Sequence, residues 1–163
     1  MAKSGKNKAK GDDRGPVIEN RRARYDYHIT DTLETGVKLI GPEVKSVRDG
    51  KVSLAEGYVR VEDEPPELWM YSVNIAEYGP SGTMNDAPTR TRKLLAHRRE
   101  IAKLARAVQV KGMTLIPLRM YFKGSFAKVL IGLAQGKTKG DKRRAIAERD
   151  VKREIARAIS RRA

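Results

Sequence analysis

The sequence predicts a mainly-β protein: a small antiparallel body with two or three added helices and cationic ends. Three observations carry this. Short alternating apolar runs are separated by Gly, Pro and Asn/Asp turn signals. Only two stretches before the last quarter of the chain show helical spacing. The charge excess also crowds the ends. Lys and Arg number 35 against 20 Asp and Glu, a net charge of +15. Residues 1–24 hold eight bases and three acids, and residues 136–163 hold eleven and four, leaving only +3 between them. A near-neutral body with two basic arms suits a polyanion, nucleic acid ahead of an anionic membrane.

Several function classes find no support. The chain has no cysteine, so disulfides and thiolate metal sites are excluded, and His28 and His97 lie too far apart to suggest zinc. No apolar run approaches the roughly 20 residues of a membrane-spanning helix, and the amino end lacks the apolar segment of a signal peptide. The expectation is a cytoplasmic protein. There is no Gly-rich phosphate loop after a strand, no GxSxG elbow and no partnered carboxylate pair, which argues against an enzyme and against a cofactor or metal.

In order, residues 1–16 are Lys/Gly/Asp-rich without periodicity and are expected to be a disordered basic arm. The body is expected to span residues 17–135. Asn20-Arg21-Arg22-Ala23-Arg24 is a basic cluster leading into a first strand, Tyr25 to Ile40, with a bulge near Thr35-Gly36. Glu43 to Arg48 reads as a short helix, started by Pro42 and stopped by Gly50, with Val44 and Val47 inward and Lys45 and Arg48 outward. Short strands follow at Val52–Leu54 and Tyr58–Val61, a turn over Glu62–Glu67, a strand over Leu68–Ile75, and a loop over Tyr78–Ala87.

Thr89 to Lys111 reads as one basic helix. Leu94, Ile101, Leu104, Ala105 and Val108 share a stripe, and Arg92, Arg99, Lys103 and Arg106 lie opposite. Glu100 is the only acid between Arg90 and Lys111, so this stretch, with Arg90 and Lys93 in it, is a candidate phosphate-binding surface. Leu95 falls off the stripe, as a flank contact or an apolar contact for an unstacked base. Met113 to Ala134 forms a hairpin turning at Lys123-Gly124-Ser125, with Pro117 at an edge or bulge. About six strands with two helices indicate a small antiparallel barrel or sandwich. The five-stranded OB-type barrel is the commonest such body that handles nucleic acids.

Residues 136–163 form a basic tail. A linker carrying Lys137 and Lys139 precedes a helix-prone segment in which Ala147, Val151, Ile155, Ala158 and Ile159 make a narrow stripe, with Arg149, Arg153 and Arg157 across from it. So thin a stripe suggests a segment disordered when free and helical against a partner, the alternative being a helix docked on the body. Glu34, Glu43 and Glu56 are isolated acids amid bases. Each can accept from a base edge or ribose hydroxyl, or pin a neighbouring arginine, which is the commoner role. Most aromatic residues sit at core-like alternation, favouring recognition of folded RNA by shape over base-by-base stacking.

Four segments then carry a resemblance: NRRARYDY (Asn20–Tyr27), GPEVKSVRDGK (Gly41–Lys51), PTRTRKLL (Pro88–Leu95) and GLAQGKTKGDKR (Gly132–Arg143). In this order and spacing they resemble the SsrA-binding protein family, also called small protein B, from about Val17 to the carboxyl end. The resemblance implies an OB-fold-like barrel with a basic tail. It implies a non-catalytic adaptor that binds the tRNA-like domain of transfer-messenger RNA (tmRNA) and delivers it to stalled ribosomes for trans-translation. It places Asn20, Arg21, Arg22, Glu34, Lys45 and Leu95 at the RNA interface; Arg24, Arg48, Arg90, Arg92 and Lys93 join them as neighbouring bases. It places Asp141, Lys142 and Arg143 in a tail that enters the decoding centre and the empty mRNA channel, with Lys137, Lys139, Arg149, Arg153 and Arg157 as further tail contacts. Elongation factor Tu and alanyl-tRNA synthetase are partners it allows through the tmRNA. Many relatives carry a stacking side chain just before the Asp-Lys-Arg motif; here Gly140 stands there and cannot stack. A structural ribosomal protein with a threaded basic tail is the competing reading.

Overall fold

Alternating burial builds a closed circuit of strands. The computed structural model describes residues 15–162, so the expected amino-terminal arm lies outside the described residues apart from Gly15 and Pro16. The strands are β1 (Ile18–Glu19), β2 (Tyr27–Val37), β3 (Val52–Ser53), β4 (Tyr58–Glu62), β5 (Glu67–Tyr71), β6 (Asn74–Ile75), β7 (Arg92–Leu95), β8 (Met113–Lys123) and β9 (Phe126–Gly136). The helices are α1 (Ala23–Asp26), α2 (Gly41–Arg48), α3 (Arg98–Val108) and α4 (Lys139–Arg162). Antiparallel pairing runs β8–β4–β5–β7–β2–β9 and returns to β8, so six strands close on themselves. Closure decides for the barrel over the sandwich.

Leu68 and Met70 of β5, Leu94 of β7, Leu115 and Met120 of β8, and Val129 and Ile131 of β9 point into one core, which Ile101 and Leu104 of α3 complete. A second cluster, Ala23, Ile116, Leu118 and Ala134, lies beneath α1, so β8 is buried on both faces. The β8–β9 hairpin turns through Gly124-Ser125 with Gly124 at φ 62°, a left-handed value that suits glycine.

Four expectations need correction. The stretch from Thr89 to Lys111 is not one helix. Arg92–Leu95 is strand β7, alternating in and out, and α3 begins only at Arg98, where the Glu100 carboxylate accepts the His97 N–H at 2.9 Å. The first strand starts at Tyr27, after the short turn of helix α1, rather than at Tyr25. Its bulge falls between Ile29 and Asp31, whereas Gly36 pairs in register with both Lys128 and Leu95. Finally, Lys139 and Gly140 are the first turn of α4 rather than linker.

Other expectations hold. The register shift between Pro117 and Arg119 is the anticipated bulge, and Gly50 ends α2 at φ 73°. The tail is a helix: the start of α4 is tied to the body through Lys142 and Asp26, and every residue from Ile146 to Arg161 is exposed.

Candidate nucleic-acid interface

The expected RNA-contacting residues separate into three sets: one at each end of the β2–β9 ribbon and one inside the protein. At one end, β2 reaches Glu34 and Gly36. Gly36 faces Leu95 across the strand pair, and a Cβ at Gly36 would lie 3.3 Å from the Leu95 Cβ, so glycine lets the leucine lie close over the sheet. Leu95 is 52% exposed, a large apolar side chain presented to solvent. It lines a concavity with Glu34, Ala96, His97, Glu100 and Lys128.

Glu34 accepts from the Tyr121 hydroxyl and from Lys123 Nζ at 3.3 Å. The Tyr121 bond chiefly, against a smaller opposing effect of burial, holds its carboxyl below the ordinary value, with Lys123 and Lys128 assisting. The same end carries Arg48, whose guanidinium lies 5.3 Å from the ring of Phe122; on the same helix, Lys45 Nζ lies 4.9 Å from the ring of Tyr78. A leucine beside an ionised carboxylate, rimmed by cations, can bind an unstacked base, a ribose hydroxyl and phosphates together.

The other end lies roughly 30 Å away along β2, at about 3.3 Å per residue. Here Arg21, Arg22 and Arg24 cluster around α1. Arg22 pairs with Glu56 at 3.2 Å and Asp26 at 3.6 Å, so Glu56 takes the arginine-pinning role. The start of α4 is fastened to this end. Lys142 bonds Asp26 at 2.8 Å and lies 5.6 Å from the Tyr25 ring, His28 Nε2 is 3.7 Å from Asp141, and Lys137 Nζ bonds the Arg24 carbonyl at 2.9 Å. Asp141 also caps the helix by accepting from the Thr138 hydroxyl at 2.7 Å and its N–H at 3.1 Å. Those bonds lead in holding Asp141 below its ordinary pKa, and the Lys142 hydrogen bond does the same for Asp26. Gly140, Arg143, Arg149, Arg153 and Arg157 continue outward, all exposed, as does Lys139.

The third set is internal. Arg92 is a correction: its side chain is 0% exposed and cannot touch RNA. Its Nε bonds Glu43 Oε1 at 2.8 Å, and its terminal nitrogens bond the carbonyls of Val73 at 2.7 Å, Arg90 at 3.0 Å and Pro88 at 2.9 Å. Glu43 also takes Arg90 Nε at 2.8 Å and the Ile40 N–H at 3.0 Å. Burial pushes the Glu43 carboxyl up, but the bonds from Arg90, Ile40 and Arg92 together outweigh it and hold the group below its usual range. Asn20 is a second correction. It is buried, and its amide donates to the carbonyls of Leu54 and Pro117, both at 3.0 Å, bridging the β8 bulge. Lys93 is not internal: it alternates outward on β7, half-buried and paired with Glu67.

Sequence reasoning missed Phe126, 72% exposed at the hairpin tip beside Lys123. It also missed Asp26 and His28 at the tail junction. A Phe next to a Gly-Ser turn was the available signal for the first; the other two had none.

A small antiparallel barrel with an apolar and cationic surface at one end, and a basic helix leaving the other, defines a nucleic-acid-binding protein of the small-barrel class. The chain belongs to the SmpB protein family, whose profile matches residues 17–161. It is 51% identical over 156 residues to the SsrA-binding protein of Roseiflexus sp. (strain RS-1), covering 94% of this chain and 98% of that one. It is 49% identical over 157 residues to the SsrA-binding protein of Thermobifida fusca (strain YX), covering 96% and 97%. A solved structure described as "tmRNA-SmpB: a journey to the center of the bacterial ribosome" matches with a TM-score of 0.66 and 46% identity, over 81% of this chain and 95% of that one.

Proposed function

We propose that this protein is a non-catalytic adaptor that binds the tRNA-like domain of tmRNA and brings it to stalled ribosomes for trans-translation. The observation that carries the reading is the two-ended layout. Leu95, Glu34, Lys128 and the α2 cations lie at one end of β2, and the tail helix is fastened at the other. An adaptor needs two surfaces that two partners can occupy together, and opposite ends of one rigid ribbon supply them.

In this reading the Leu95 end, extended by Lys123, Phe126 and Lys128, meets the RNA, and α4 enters the ribosome. With every residue from Ile146 to Arg161 exposed, α4 gains little from tertiary packing and becomes a persistent helix only against an anionic groove. Asp141 and Lys142 serve chiefly to start and aim it.

Binding measured at one fixed, near-physiological salt tests this, comparing the tRNA-like domain with an elongator tRNA and a plain RNA duplex. The expected result is a clear preference for the tRNA-like domain that survives removal of residues 137–163. Arg153→Glu with Arg157→Glu is expected to keep that affinity and stop peptide tagging in a reconstituted translation assay. Equal, salt-fragile binding to all three RNAs overturns the reading.

A further inference from the structure

The outer face of β4, β5 and β7 is a second surface, unlike the rest of the molecule. Inward alternation takes Val59, Leu68 and Met70 into the core, which leaves Tyr58, Trp69 and Tyr71 on the outside, against the expectation that most aromatics serve the core. Tyr58 and Tyr71 stand opposite each other and stack, with centroids 5.3 Å apart and planes 8° from parallel. Arg60 lies over both rings, at 5.2 and 5.8 Å, and Lys93 lies 5.9 Å from the Trp69 ring.

The charge here is inverted. Glu62 and Glu67 face each other across the ladder, a like-charge pair that costs stability in a sheet. Asp63 and Glu64 stand in the turn between them. Four acids against Arg60 and Lys93 leave this face at −2 on a chain of +15. Both cations are already engaged. Arg60 rests on the tyrosines, and Lys93 is ion-paired to Glu67. The Tyr71 hydroxyl donates to Glu62.

We propose that this face docks a basic protein segment, with the partly buried aromatic rings and the hairpin carboxylates receiving its Arg or Lys side chains. The fit is one of charge complementarity. A locally anionic face repels phosphate, so the RNA-stacking role its aromatics could otherwise serve is disfavoured. Arg60 over the tyrosine pair already shows the geometry in which a guanidinium settles here. A conflict between local sheet stability and retained carboxylates is what a binding surface produces. The surface goes beyond the RNA-binding reading and does not depend on it.

Trp69 is the chain's only tryptophan, so its emission reports on this face alone. Hexa-arginine and hexauridylate are titrated separately into the full-length protein at low salt. Hexa-arginine is expected to change the emission saturably and hexauridylate to leave it unchanged. Glu62→Gln with Glu67→Gln is expected to raise the peptide midpoint about fivefold, as loss of two exposed charge partners implies. Glu62→Gln with Asp63→Asn, confined to the hairpin end, gives the same readout should the first pair fail to fold by circular dichroism. A stronger response to hexauridylate, equal midpoints in wild type and variants, or no response to either probe overturns the proposal. Self-association in sedimentation that the variants abolish would overturn it too, assigning the face to a second copy of the chain.

Discussion

Replacing Glu43 by Gln removes one charge and leaves a buried guanidinium without the carboxylate it bonds. Arg92 is fully enclosed, and among the described residues Glu43 is the one carboxylate it bonds; its remaining donors go to three backbone carbonyls that an amide cannot help. Breaking a buried ion pair from one side typically costs about 3–5 kcal/mol. That is a large share of the roughly 5–15 kcal/mol that holds a domain folded. Arg90, less buried, relaxes toward Asp86, 3.5 Å from its Nε, which places the expected loss near the lower bound, about 3 kcal/mol. The midpoint of urea unfolding is expected to fall with the slope unchanged, because the same surface is exposed on unfolding. The pH dependence has a definite sign. The folded-state pKa of Glu43 is depressed, so its contribution is present above the unfolded value near about 4.3 and is lost as pH falls through the folded value. Wild type should therefore lose stability at acid pH more steeply than Glu43→Gln. A loss below about 1 kcal/mol, the range of an exposed pair, or identical acid limbs, would refute the view that this cluster locks α2 to β7.

Four further outcomes follow from the geometry. Leu95→Glu should weaken binding of the tRNA-like domain at least about tenfold, the scale of one buried contact at a hot spot, with urea unfolding nearly unchanged; unchanged affinity would remove Leu95 from the interface. Lys45→Ala with Arg48→Ala should reduce the slope of log affinity against log salt by roughly two, one unit per phosphate contact. Arg92→Lys should instead show its effect in stability, and the reverse pattern would invert the assignment. Asp26→Lys and Lys142→Asp should each reduce tagging, and the two together should restore it, because the 2.8 Å pair is rebuilt with charges exchanged. A double variant no better than either single one would make Lys142 a ribosome contact alone.

The hairpin, the short helix α2, the Pro117 bulge and the tail helix were legible because each rests on local signals of turn residues, alternation or a helix stop. The failure at Thr89–Lys111 has a specific cause. Arg92-Lys93-Leu94-Leu95 is only four residues long, and over that length Leu94 fits a helical stripe as well as a strand. Glu100 was taken for a lone acid on a basic face, when its spacing of three from His97 marks the true helix start. Arg92 could not have been placed from sequence. Charge argues for the surface, and the partner that buries it lies 49 residues away. Asn20 misled in the same way, since a polar residue in a basic run reads as surface until a bulge 97 residues on is brought beside it. Leu95, judged out of place on a helix, is out of place on a strand as well. The exposed apolar residue was legible even where its secondary structure was not.

The structure also ranks the cations. A base held on a carboxylate is already neutralised, and phosphate must displace the acid to reach it: Arg90 and Arg92 on Glu43, Lys93 on Glu67, Lys103 on Asp31 at 2.8 Å, Arg119 on Glu19 at 2.7 Å. A base held over an aromatic ring keeps its full charge and most of its N–H donors while its side chain is already ordered, so phosphate meets a prepared cation at little entropic cost. Lys45 over Tyr78 and Arg48 over Phe122 are of this kind, on a helix whose orientation Glu43 fixes from beneath. In the proposed function the buried cluster therefore acts on RNA without touching it. By tying α2 to β7 it holds the α2 cations and Leu95 in one frame, and the acid that looked isolated in the sequence joins the fold to the site.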